Sequence, residues 1–144
     1  MTYCVGLLLR DGLVFAADSR TNAGLDHIFT FRKMKIFEKP GERFLVLMTA
    51  GNLATSQAVT TMVSERLEEG TEETSLYKAT SMFSAARIVG NALREVIDVD
   101  GEHVRGESAD PSSSFILGGQ IAGRPARLFQ IYSAGNFVEA TPET

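Results

Sequence analysis

Three residues near the start of the chain could together do chemistry: Thr2, Asp18 and Lys33. Thr2 directly follows the initiator Met. If Met1 is removed, Thr2 offers a hydroxyl together with an α-amine whose ordinary pKa is about 7.7–8.0. That amine can take the hydroxyl proton, directly or through water, and so activate a weak nucleophile. The run "YCVGLLLRDGLVFAADSR" reads as a β-hairpin turning at Asp11-Gly12, one of the strongest short-range hairpin signals. Antiparallel pairing brings Asp18, at the end of the second strand, back to the level of Thr2. Lys33 falls in the following strand. Its charge would favour the deprotonated hydroxyl and the neutral amine, with Asp18 orienting it. Each residue also has an ordinary reading: a terminal Thr without a role, and a strand-borne Asp or Lys in a solvated salt bridge.

Other chemistries find little support. There is no Gly-Lys-Ser/Thr phosphate loop and no dinucleotide fingerprint, since Gly118, Gly119 and Gly123 have the wrong spacing. His27 and His103 are the only histidines and read as surface or loop residues; no G-x-S-x-G turn is present. The single Cys4 excludes an internal disulfide, and a zinc-type site would need more Cys and His, so neither metal nor cofactor is expected. A net charge of −4 argues against nucleic-acid binding. No apolar run approaches the roughly 20 residues of a membrane span. With no secretory signal visible, the expected compartment is the cytoplasm.

The elements that must position the three residues follow from pattern. "HIFTFRKMKIF" alternates and predicts one strand over 28–37. Lys39–Glu42 is a turn, and "RFLVLMTAG" a buried strand. Val59, Met62, Val63 and Leu67 predict a helix over 53–69 stopped by Gly70. Leu76, Ala79, Phe83, Ala86, Gly90, Leu93 and Ile97 predict a second helix with one buried face, the small residues allowing a close neighbour. Asp98–Ser114 reads as a polar loop, and a second hairpin follows across Arg124-Pro125. Strands, two helices and strands again imply a single α+β domain with helices on a largely antiparallel sheet.

The wording of the sequence adds a resemblance. "TYCVGLLLRDGLVFAADSRTN" is similar to the start of proteasome β-type subunits, "FRKMKIF" to the strand bearing their lysine, and "LMTAGNLATSQAV" to their strand–Gly–helix junction. "SRTNAGLDHI" and "FTFRK" resemble the bacterial proteasome-like Anbu peptidases in particular. The resemblance implies a four-layer αββα sandwich of the N-terminal-nucleophile hydrolases, assembling into homo-oligomeric rings or ring-like forms. It implies Thr2 as nucleophile after loss of Met1, with Asp18 and Lys33 as the family's acid and lysine. Gly51 would stabilise the oxyanion through its N–H, and Asn22 would hold a peptide substrate as an added strand where the family usually has Thr. The family continues beyond the point matching Thr144 with further helices, strands, a Ser and an Asp, so the fold is expected to be incomplete at the C-terminus. Three functions follow: a threonine peptidase or amidohydrolase, a non-catalytic ring-forming subunit of the same fold, or an unrelated α+β binding domain.

Overall fold

The computed structural model describes residues 2–22 and 28–141. The chain opens with a hairpin of β1 (Cys4–Leu9) and β2 (Gly12–Ala17). Leu9 pairs with Gly12, so the turn is Arg10-Asp11, one residue earlier than expected. The reason lies in packing. This register sets Gly6 opposite Phe15, and Gly118 in the sheet beneath leaves room for the Phe15 ring, which a Cβ there would strike at 2.5 Å.

Next come β3 (Arg20–Asn22) and β4 (Ile28–Thr30), an antiparallel pair. The single strand expected over 28–37 is therefore broken, and β5 (Met34–Lys39) begins only after Phe31–Lys33. Backbone partners change there: Phe31 N–H donates to the Ser19 carbonyl (2.7 Å), whereas the Lys33 carbonyl accepts from Thr49 N–H (3.0 Å). The chain leaves one sheet and joins another within two residues.

The main sheet is antiparallel throughout and ordered β5, β6 (Arg43–Gly51), β7 (Ser113–Ile121), β8 (Arg127–Ile131), β9 (Phe137–Glu139). Alternation along these strands sorts their side chains onto two faces. Phe37, Leu45, Leu47, Phe115, Leu117 and Phe129 are buried against the helices. Val46, Met48 and Leu128 are buried as well but lie outside that cluster, on the face covered by the hairpin, where a Cβ on Gly6 would come within 3.1 Å of Ile116 and Leu128. The layers are thus helices, five-stranded sheet and hairpin.

Helix α1 (Leu53–Glu69) has the expected bounds, with Asn52 as N-cap and Gly70 closing it. Helix α2 (Met82–Gly106) starts later, behind the N-cap Ser81, and runs through most of the segment expected as a loop. Asp98, Asp100, Glu102, His103 and Arg105 are its exposed face, while Gly101 is buried; a solvated helix face has the composition of a loop. Leu76 and Ala79 are buried but precede the helix, and Phe83 is exposed, edge-on to Phe137. Gly90 does permit a close neighbour, since a Cβ there would collide with the Gly135 carbonyl of the β8–β9 turn. The hairpin of β7 and β8 across Arg124-Pro125 forms as expected.

Candidate active site

The hairpin register carries Asp18 to the level of Tyr3, next to Thr2. Asp18 N–H donates to the Tyr3 carbonyl (3.0 Å), and Tyr3 N–H donates back to Asp18 Oδ1 (2.9 Å). Lys33, in the break before β5, reaches the same oxygen: its Nζ donates to Asp18 Oδ1 (2.8 Å) and to the Arg20 carbonyl (2.6 Å). Two of the three ammonium donors are so engaged among the described residues. Lys33 is buried, which a lysine tolerates only when paired. The Lys33 hydrogen bond, seconded by Tyr3 N–H, holds the Asp18 carboxyl below the usual carboxylate range.

Thr2, Lys33, Thr49, Gly51 and Ser56 line one narrow cleft of about 10 Å³, room for about one water. On its other side Thr2 borders a cavity of about 170 Å³ with Cys4, Ser114 and Gln130. The Cys4 thiol contacts the Thr49 carbonyl (3.6 Å). Burial pushes its pKa up, against a smaller opposing pull from Lys33. An open cavity of about 870 Å³ runs along β5 and shares Phe31, Lys33 and Thr49 with the narrow cleft.

Gly51 ends β6 opposite Ser113, with φ +108°, a conformation that L side chains rarely adopt. A Cβ there would lie 2.6 Å from the Ser112 carbonyl oxygen and 2.9 Å from Ser113 Cα. Its successor Asn52 is tied down on every side. Asn52 N–H donates to the Ser112 carbonyl (3.0 Å), its Oδ1 accepts from Thr55 N–H (3.0 Å), and its Nδ2 donates to the Asp110 carbonyl (3.0 Å). Ser113 Oγ donates to the Asn52 carbonyl (3.0 Å) and lies 3.1 Å from Ser56 Oγ. Sequence reasoning passed over Ser56 and Ser113. They are 57 residues apart, and the one local signal near them is Asn52, a residue type that favours the N-cap ahead of a helix.

Thr2, Asp18, Lys33 and Gly51 are therefore brought together. Asn22 ends β3, its backbone paired with Ile28. His103 lies exposed near the end of α2, while His27 falls outside the described residues. Among the described residues, no group of three or more His, Cys, Asp or Glu could hold a metal ion, and no helix is long and apolar enough to cross a membrane.

No family profile matches the chain, and no curated protein does. Solved structures do. The helical assembly of the Anbu complex from Pseudomonas aeruginosa superposes with a TM-score of 0.90 at 51% identity, over 98% of this chain and 57% of that one. An Anbu (Gly-1) mutant from Hyphomicrobium sp. strain MC1 gives 0.88 at 48% identity, over 100% of this chain and 58% of the other. Anbu (ancestral beta-subunit) from Yersinia bercovieri gives 0.86 at 48% identity, over 96% and 56%. The chain thus spans somewhat more than half the length of the structures it matches.

Proposed function

From a chain that belongs to the Anbu family, the ancestral β-subunit group of proteasome-like proteins, we propose a threonine-type N-terminal-nucleophile peptidase or amidohydrolase. One observation carries this reading: a buried lysine, neutralised by Asp18, lines the cleft that Thr2 enters. A purely structural lysine gains little from that place.

In the proposed reaction Thr2 Oγ attacks the carbonyl of a peptide bond. The free α-amine of Thr2 accepts the hydroxyl proton, directly or through one water. Lys33 stabilises the developing alkoxide, and its fixed partners keep it from reorganising. The Gly51 N–H receives the oxyanion. Alternation along β6 supports this, because the Thr49 N–H points toward Lys33 and the donor two residues on faces the same edge. Collapse expels the amine product, which takes the proton, and leaves an ester on Thr2; water then releases the acid. The backbone at Asn22 would align the peptide as an added strand. The helix, sheet and hairpin layers support one proteasome-like domain over 1–144, part of a four-layer αββα sandwich whose remaining layer belongs to the rest of the family's length. A homo-oligomeric, cytoplasmic peptidase needing no cofactor completes the reading.

The mechanism requires a free amine on Thr2. Intact-mass analysis of the assembled protein, after reaction with a threonine-directed covalent probe, should find Thr2 first in the chain and carrying the label. Labelled or active protein that retains a residue ahead of Thr2, or full activity in Thr2→Ala, rules it out. The second reading, a non-catalytic assembly subunit, draws on the helical assembly of the Pseudomonas aeruginosa relative. It predicts that Lys33→Met disrupts the oligomer rather than turnover.

A further inference from the structure

The cavity along β5 is cationic in a protein that is acidic overall. Arg32 and Lys35 line it beside the already neutralised Lys33, and no Asp or Glu does so among the described residues. The whole chain has 18 acidic against 14 basic residues, so a cavity without a carboxylate runs against the general composition. Neither Arg32 nor Lys35 forms a salt bridge with a described residue. The Lys35 ammonium instead lies 5.8 Å from the centroid of the Phe37 ring. Across the cavity, α1 presents Gln57 and Thr61, uncharged groups able to donate to a carboxylate, beside Thr60, whose hydroxyl donates to the Ser56 carbonyl (2.8 Å). Phe31 and Met34 supply apolar wall for a side-chain stem.

We infer that this cavity selects an acidic side chain on the substrate, on the residue whose carbonyl is attacked. The inference rests on the peptidase reading for that placement. A carbonyl held between Thr2 and Gly51 sits against Lys33 and Thr49, two of the three residues common to the cleft and the cavity. The side chain of the same residue then enters the cavity. Two cations with no carboxylate partner among the described residues attract a carboxylate and repel a substrate lysine, so the selection works by both signs.

The test is calorimetric binding to the assembled Thr2→Ala protein, which keeps the cavity but lacks the nucleophile. Acetyl-capped peptide amides ending in Glu, Gln or Lys serve as probes. Glu should bind roughly three- to tenfold more tightly than its isostere Gln, the gain of one or two partly screened ion pairs, and Lys most weakly. The gap between Glu and Gln should close in Arg32→Gln/Lys35→Gln and shrink with added salt. Equal binding of Glu and Gln, a preference that survives the double variant, or no binding by any peptide overturns the inference. Failure of the covalent probe to label Thr2 in the unmutated protein would instead overturn the peptidase reading, so the two failures are distinct.

Discussion

Lys33 and Asp18 are joined at 2.8 Å, with the lysine side chain 2% exposed and the aspartate 37%. The cation is therefore committed to the interior while its counter-ion stays at the boundary with solvent. Asp18 Oδ1 also accepts the Tyr3 N–H at 2.9 Å. One oxygen thus ties the residue after Thr2 to the lysine of another strand, and the position of Thr2 relative to the cation depends on it.

Lys33→Met keeps most of the buried stem and removes the charge. Turnover is expected to fall by about 10²–10⁴ while the oligomer persists, as loss of an electrostatic or proton-transfer group does elsewhere. Folding stability should drop by about 1–3 kcal/mol from the lost charged hydrogen bonds. Parallel kinetics and size measurement decide between this outcome and the assembly-subunit reading.

Asp18→Asn tests the pair through pH. The folded carboxyl sits below its ordinary value because of Lys33 and then Tyr3 N–H. Its contribution is therefore complete above the unfolded value of about 3.9 and disappears as pH falls through the lower folded value. Urea midpoints of the wild type and the variant should differ by a constant amount above about pH 5, and converge below pH 4. A gap that stays constant into strong acid would show that the charge of Asp18 contributes nothing.

Gly51→Ala should be costly whatever the protein does. The new Cβ meets the backbone of Ser112 and Ser113 at 2.6 and 2.9 Å, in a φ of +108°. Strain and overpacking together suggest a loss of about 2–4 kcal/mol, readable by urea unfolding. Under the proposed mechanism, the folded fraction should also lose activity.

Cys4 offers a probe of the same field. Burial raises its pKa, and Lys33 partly offsets that. Less thiolate is then present at a given pH, so alkylation by iodoacetamide at pH 8 should be slower than in the urea-unfolded chain. Lys33→Met should slow it further by removing the offsetting charge, and an unchanged rate would count against the coupling.

Local signals were read correctly where the physics is local. Helix α1 runs from Leu53 to Glu69 and stops at Gly70, as spacing and a breaker residue predict. The neighbourhood of Thr2 and Asp18 followed from the geometry of one hairpin, even though the turn is one residue earlier than Asp11-Gly12 suggests. Polarity misled at the end of α2, because the exposed face of a helix and a loop are built from the same residues. Alternation misled at Phe31–Lys33, because it carries no information about which strand the backbone will meet next.

The sequence by itself determined the α+β class, the limits of α1, and the residue types at the candidate site. Only the tertiary structure decided that Lys33 is buried on the Asp18 carboxylate, that Ser113 braces the Gly51–Asn52 junction with Ser56, and that no carboxylate lines the β5 cavity among the described residues. Helix limits and hairpins depend on neighbours a few residues apart. Burial, pairing and cavity charge depend on chain segments that meet only when the sheet closes, and no spacing along the chain encodes those meetings.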